Sequence, residues 1–300
     1  MGTHRSVLGA VALSMMSLLF IGPGSASAES PACTQMAPNT SMFFYKKSTG
    51  DAGTGTLAAG RWQYRGVQTG IPAGYSHAAA SRDSLVLYNT DTGALETGTF
   101  INGVYTRSVA GHGATAWTHV EATGDSVLFY NAATGRAASG TLRNGAYREL
   151  RAYDNFSKGW ASIAGSCDTI AFVKNVGKGD LPNYELGYGT LRGGVYTMVG
   201  FKSGMTANEL VATKDSIMLR IGSASGDSAQ FASLAGGSVG QPHSYGTSGH
   251  WDAVGRSADS LFFYKADGTA WISTLNGNRY ANVGPLGNVS PGWSIIEGGV

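Results

Sequence analysis

GDSVLFYNAATGRAASGTLRNGAYREL, residues 124–150, holds three strand-like segments and two turn signals. An apolar run, Ser126 to Tyr130, comes first, and N-A-A-T-G closes it on a glycine. A second strand then ends in G-T-L, and Asn144-Gly145 follows. Asn-Gly supplies the positive φ angles that a two-residue hairpin demands. The third strand opens on Tyr147.

The same order recurs along the chain. Asp, then Ser or Thr, then apolar residues appear at Asp83, Asp125, Asp168, Asp215 and Asp259, with a degenerate start at Thr40-Ser41. Successive starts lie 43, 42, 43, 47 and 44 residues apart. Six repeats therefore cover about 40–82, 83–124, 125–167, 168–214, 215–258 and 259–300. The predicted hairpins centre on Gly60, Asn102-Gly103, Asn144-Gly145, Gly193-Gly194, Gly236-Gly237 and Asn276-Gly277. The third strands carry Tyr64, Tyr105, Tyr147, Tyr196 and Tyr280 as their expected aromatic. After a variable polar loop, a fourth strand starts at Tyr75, Trp117, Trp160, Ala207, Trp251 or Trp293.

Four antiparallel strands every 40 to 50 residues or so mark a β-propeller blade. The first strand of each repeat is apolar at consecutive positions, as suits a sheet covered on both faces by its neighbours. The expected fold is all-β: a six-bladed β-propeller of four-stranded antiparallel blades. No strand precedes Thr40 to match the one that follows Trp293, so the C-terminal strand is expected to complete the first blade and close the ring.

Residues 1–28 read as a secretory signal peptide: a basic start (His4, Arg5), an apolar run over 7–21, a Gly22-Pro23-Gly24 break and Ala26-Ser27-Ala28. The apolar run is shorter than the roughly 20 residues that span a bilayer, so secretion without membrane insertion is expected. Residues 29–39 form a tail. Without Arg5 the chain carries 20 basic and 19 acidic side chains, which leaves no basic field for nucleic acid. In an oxidising compartment Cys33 and Cys167 are expected to form a disulfide. Cys167 precedes the fourth repeat, opposite the first, so the pairing would draw the tail across one mouth of the channel.

Motifs for chemistry are sparse. The phosphate loop, the H-E-x-x-H pair and the dinucleotide fingerprint are absent. Gly236 to Gly240 match G-x-S-x-G around Ser238, but on a hairpin, whereas a nucleophile elbow needs a strand-to-helix turn. The closest His pairs, His112 with His119 and His243 with His250, are seven apart, not the i, i+4 of a helical metal pair. No catalytic residue, metal or cofactor is expected. The Asp at each repeat start is read as a turn acceptor for backbone N–H groups. An insertion in the fourth repeat carries Asp180, Tyr184, Glu185 and Tyr188 and is read as a solvent loop.

Aromatic residues are the remaining lead. Trp117, Trp160, Trp251 and Trp293 share one repeat position, where they either pack between blades or edge shallow pockets on which a pyranose ring stacks. The loops before them offer His112, Asn155, Lys158, His250 and Asn288 as hydrogen-bonding groups. Trp62 and Trp271 fall off that position and are assigned to local packing.

The composite D-S-[LV]-x-[LF]-Y … T-G … G-T-L … N-G-x-Y … G-W-x-x-I resembles the repeats of tachylectin-like and tectonin-type β-propeller lectins, over nearly all of the chain after the signal. The resemblance implies a secreted, non-enzymatic binder of glycans or glycoconjugates, with sugar sites repeated once per blade or blade junction. Ala207 and Tyr75 depart from the tryptophan position, so the junctions are not equivalent. Tachylectin-type rings usually have five blades, and six repeats suit the tectonin-type count. The alternatives are a protein-interaction scaffold using one mouth of the ring and a secreted polysaccharide-acting enzyme.

Overall fold

The computed structural model describes residues 37–177, 183–222, 226–287 and 289–300, and every regular element among them is a β-strand. The expected signal peptide, the tail as far as residue 36 with Cys33, and the candidates Asp180 and Asn288 lie outside the described residues. Cys167 is not a free thiol.

In chain order the strands are β1 (Ser41–Tyr45), β2 (Ala52–Ala58) and β3 (Arg61–Gln68); β4 (His77–Ala80), β5 (Ser84–Tyr88), β6 (Ala94–Ile101) and β7 (Val104–His112); β8 (His119–Ala122), β9 (Ser126–Asn131), β10 (Arg136–Arg143) and β11 (Ala146–Tyr153). There follow β12 (Ser162–Gly165), β13 (Thr169–Asn175), β14 (Tyr184–Arg192) and β15 (Val195–Met205); β16 (Glu209–Ala212), β17 (Ser216–Ile221), β18 (Asp227–Ala235), β19 (Ser238–Val239) and β20 (His243–Ser248). The last are β21 (Ala253–Arg256), β22 (Ser260–Tyr264), β23 (Ala270–Asn276), β24 (Arg279–Leu286) and β25 (Ile295–Gly298).

These strands make six antiparallel sheets, the blades of a β-propeller. Blade 1 is ordered β25-β1-β2-β3, so the C-terminal strand completes the blade that the first repeat begins. Met42 pairs with Gly298 and Tyr45 with Ile295. The short strands β25, β4, β8, β12, β16 and β21 are innermost, each next to its successor, and β21 returns to β25. A repeat and a blade are thus offset by one strand: the fourth strand of each repeat is the inner strand of the next blade. Blade 5 departs from the expected four strands, because its outer edge is divided between β19 and β20.

Strands β1, β5 and β22 are buried along their whole length, and β9 as far as Tyr130. The cause is their place second from the axis, where a blade lies against each face. Phe44, for example, meets Phe262 of blade 6 at a ring separation of 5.1 Å, and full burial of such a side chain stabilises the ring by about 1.5–3 kcal/mol.

The Asp-Ser or Asp-Thr signature that opens five repeats, with Ser41 alone in the first, is an inter-blade clasp. The hydroxyls of Ser41, Ser84, Ser126, Thr169, Ser216 and Ser260 each accept a hairpin N–H of the following blade, at 2.7–3.0 Å. The last, from Gly60, brings the circle back to blade 1. The preceding carboxylates of Asp83, Asp125, Asp168, Asp215 and Asp259 accept the adjacent hairpin N–H. Those hairpins present their N–H groups because both turn residues have positive φ, as in Asn144 (52°) and Gly145 (76°). The sixth hairpin turns on Gly277-Asn278 and not on the expected Asn276-Gly277, since Asn276 still pairs with Arg279.

Register also corrects the third-strand aromatic of the first repeat. Leu57 pairs with Trp62 as Phe100 does with Tyr105 and Leu142 with Tyr147. Trp62 therefore holds the repeat position, and Tyr64 lies two residues beyond it.

Candidate functional site

The segment that joins β24 to β25 passes beside the face of blade 1, and between them lies a groove of about 570 Å³. Phe44, Trp62, Tyr64 and Trp293 supply its aromatic wall, and Lys46 and Asp51 its charged groups. Trp293 comes from the last residues of the chain and the others from the first blade, so ring closure assembles the site.

Each wall residue has a local reason for its position. The Tyr264 phenol donates to the Ser290 carbonyl at 2.9 Å and accepts the Trp293 N–H at 3.2 Å, which pins the segment before β25. Tyr45, Tyr88 and Tyr130 make the same pair of bonds before Tyr75, Trp117 and Trp160. Phe44 supports both tryptophans, at 5.2 Å from the Trp62 ring and 5.8 Å from the Trp293 ring. The Lys46 ammonium sits 5.1 Å from the centre of the Trp293 ring, within cation–π range. Tyr64 is 56% exposed.

The groove is open because of Gly53. A Cβ there would stand 3.6 Å from both the Trp293 and the Tyr64 rings. Pairing places Glu96, Ala138, Gly187, Gln230 and Trp271 at the equivalent point of the other blades. In blade 2 the buried Glu96 carboxylate fills the space and accepts from the Tyr75 and Tyr105 hydroxyls, at 3.1 and 2.9 Å, and from Arg107. Burial, with the adjacent Glu96 charge, holds both phenols far above their usual pKa. In blade 6 the Trp271 indole stands there. In blade 4 Gly187 is covered by Trp160, on which Phe201 stacks at 6.3 Å and 10°.

The four sequence-selected tryptophans are consequently unequal. Trp160 is 1% exposed and carries the Lys174 ammonium 4.4 Å from its ring centre, so it presents no free face, and Trp117 is 8% exposed. Trp251 and Trp293 are half-buried. His112, Asn155, Lys158 and His250 are exposed on three different blade junctions and do not converge. Only Trp293 of that set lines the groove. Trp62, Tyr64, Lys46 and Asp51 join it instead, and for Trp62 the signal was present in its spacing, two residues past the hairpin glycine.

A second concave region lies on the axis. Cavities of about 480, 200 and 130 Å³ share Ser162 and open among His77, His119, Glu209 and His250. Below them the Arg256 guanidinium, 3% exposed, donates to Glu121 at 2.6 Å, to Glu297 at 3.1 Å and to the Ala212 carbonyl at 3.0 Å. Glu121 also accepts the Gly165 N–H at 2.9 Å, and Glu297 takes a backbone bond from Ala80. All six inner strands thus meet at one ionic hub. Burial raises the Glu121 carboxyl to about 8, and Arg256 opposes that rise. Burial lowers His77 to about 4 and also lowers His119.

In blade 5, Arg220 and Asp227 replace the tyrosine anchor: Arg220 donates to the Trp251 carbonyl, and Asp227 accepts the Trp251 N–H at 3.0 Å. His250 stands 3.5 Å from Asp227 and 3.4 Å from Asp252. The residues expected on a fourth-repeat loop, Tyr184, Glu185 and Tyr188, belong to β14, and Glu185 accepts from Lys174 at 3.1 Å. Ser238 lies in β19, after a hairpin turn. Among the described residues, no group of three or more His, Cys, Asp or Glu side chains is placed to hold a metal ion.

No family model matches the chain, and no curated protein does. Solved structures do. A Bacteroides uniformis protein named as a candidate 6-phosphogluconolactonase aligns with a TM-score of 0.53 at 11% identity, over 87% of this chain and 100% of that one. A protein of unknown function from Desulfotomaculum acetoxidans aligns at 0.54 and 9%, over 85% and 84%. A chain of a nidogen–laminin complex aligns at 0.51 and 10%, over 81% and 92%. At such identities the likeness concerns the fold alone.

Proposed function

We propose that this protein is a secreted, non-enzymatic propeller lectin of the tachylectin-like and tectonin-type kind, which binds glycans through the groove at the ring closure. The propeller fold supports a binding scaffold. The observation that carries the finer reading is the opening beside Gly53, where Trp293, Trp62 and Tyr64 surround a space of about 570 Å³. A pyranose ring has an apolar face for such rings and hydroxyls for polar groups at the margin, here Lys46 and Asp51. The Glu96 and Trp271 fillings reduce the repeated sites that the sequence suggests to fewer, unequal ones. Avidity then comes from density of the target surface more than from six sites on one ring.

The test is saccharide binding to residues 29–300 on a glycan array, followed by titration of the tryptophan fluorescence. Gly53→Leu fills the groove at a position where other blades carry side chains, and Tyr64→Ala removes an exposed wall. Each is expected to weaken binding at least tenfold, a loss of about 1.4 kcal/mol, with the melting temperature preserved. Saturable binding that both variants leave intact places the sugar elsewhere, and silence across the array overturns the lectin reading.

A further inference from the structure

Blade 4 is a filled copy of the groove at blade 1. Phe44 pairs with Gly53 in blade 1, and Phe172 with Gly187 in blade 4. Trp293 stands over the first glycine and Trp160 over the second, 3.6 and 3.0 Å from where a Cβ would be. Each tryptophan carries a lysine ammonium, Lys46 at 5.1 Å and Lys174 at 4.4 Å from the ring centre.

Two side chains fill blade 4 and have no counterpart in blade 1. Opposite Gly187 on the outer strand is Phe201, whose ring lies within 10° of the Trp160 plane. Opposite Gly53 is Val67, a short side chain that is 68% exposed and leaves the Trp293 face open to the groove. Opposite Lys174 is Glu185, which accepts from the ammonium at 3.1 Å, as the Ser157 hydroxyl does at 2.6 Å. Opposite Lys46 is Asp51, one methylene shorter. Among the described residues no carboxylate comes within 4.0 Å of the Lys46 ammonium.

We propose that the ligand of the groove is an acidic saccharide, a pyranose that bears a carboxylate. Its ring takes the place on Trp293 that Phe201 holds on Trp160, and its carboxylate takes the place at Lys46 that Glu185 holds at Lys174. The assignment rests on the glycan reading of the groove and narrows it to one chemical class. The occupant is argued from the chain itself: a flat ring on the indole, with a carboxylate on the ammonium beside it, is the geometry that blade 4 builds from its own side chains. An ammonium held on an aromatic face has lost part of its water, so a carboxylate that reaches it makes a charge-assisted bond, stronger than one to a neutral hydroxyl. Asp51, an acceptor only, is left for the ring hydroxyls. Uronates and sialic acids share this chemistry.

The experiment is binding of residues 29–300 to an array of uronate and sialic acid glycans, each beside its carboxyl methyl ester, with affinities from titration of the tryptophan fluorescence. The acid should bind about tenfold more tightly than its ester at low salt, and the gap should narrow above about 0.1 M salt. Which acids bind tells the two sources apart. Lys46→Gln should lose the gap and Lys46→Arg keep it. Val67→Phe copies the blade 4 filling at an exposed position, and with the fold intact by circular dichroism it should weaken acid and ester alike. Acid and ester bound equally overturn the proposal and leave the lectin reading standing, as does a gap that Lys46→Gln preserves. Binding that Val67→Phe leaves unchanged takes the ring off Trp293 and overturns it too. No saccharide bound in either form overturns both readings.

Discussion

Replacing Glu121 by Gln in the axial hub should change how the stability of the ring depends on pH. Two buried carboxyls, Glu121 and Glu297, share one guanidinium, so the cluster is neutral when the pair keeps one proton. They titrate as a pair, and burial puts the Glu121 carboxyl at about 8 against an ordinary 4.5. A group whose folded pKa is raised contributes stability in full below its unfolded pKa and loses it as pH climbs through the folded one. The window is therefore about 4.5 to 8, at up to about 1.4 kcal/mol per pH unit for one proton. His77 and His119 act in the opposite sense. Their folded pKa values are lowered, His77 to about 4, so their contribution is present above about 6.5 and lost below it. Just above pH 6.5 the unfolded histidines still lose charge, and Glu209, whose carboxyl burial also raises, acts in the hub's sense, so the hub is read from the difference between wild type and the variant. Relative to Glu121→Gln, wild-type stability should fall between pH 6.5 and 8 by on the order of 1–2 kcal/mol, or roughly 0.5 M in urea midpoint for a slope near 3 kcal/mol/M. Glu121→Gln keeps an oxygen for the Arg256 and Gly165 bonds and leaves one carboxylate for one guanidinium, so the hub's share of the fall should be absent from its midpoint. Urea unfolding at pH 6.5, 7.25 and 8 measures both. Parallel profiles, or a wild type that gains stability as pH rises, would refute the shared-proton account.

Four further outcomes are expected. Arg256→Met leaves the buried Glu121–Glu297 pair without its cation and should destabilise the ring by about 3–5 kcal/mol, seen as a lower urea midpoint at pH 7. Ser126→Ala strips the acceptor from the Gly194 N–H, bonded at 2.7 Å, and an unsatisfied buried donor costs about 1–3 kcal/mol; calorimetry should show one lowered transition if the clasp links all six blades. Removing residues 290–300 deletes β25 and with it Glu297 and Trp293, so the truncated chain should lose the whole cooperative transition, and an unchanged melting curve argues against closure by that strand. By contrast Ala59→Gly should raise the melting temperature, since Ala59 holds a φ of 48° at a turn where other repeats place Asn or Gly, at a cost of about 1 kcal/mol.

The sequence by itself determined the number of blades, the order of strands within them and the closing role of the C-terminal strand. Those features are written in local chemistry: positive-φ hairpin pairs, apolar runs and Asp-Ser starts at a nearly constant spacing. The role of the Asp as a backbone acceptor was legible too, though not that its N–H partners belong to the next blade. Tertiary structure alone decided the candidate site. Whether a repeated tryptophan is free or covered depends on its non-local neighbours: Trp293 stands open beside Gly53, whereas Trp160 over Gly187 is covered by Phe201 and Lys174, and sequence similarity among repeats averages those differences away. Trp62 and Trp293 lie 231 residues apart and meet because the ring closes between them. Glu121, Arg256 and Glu297 sit in three different repeats and form one cluster for the same reason: the inner strands converge on an axis that no single stretch of the chain defines.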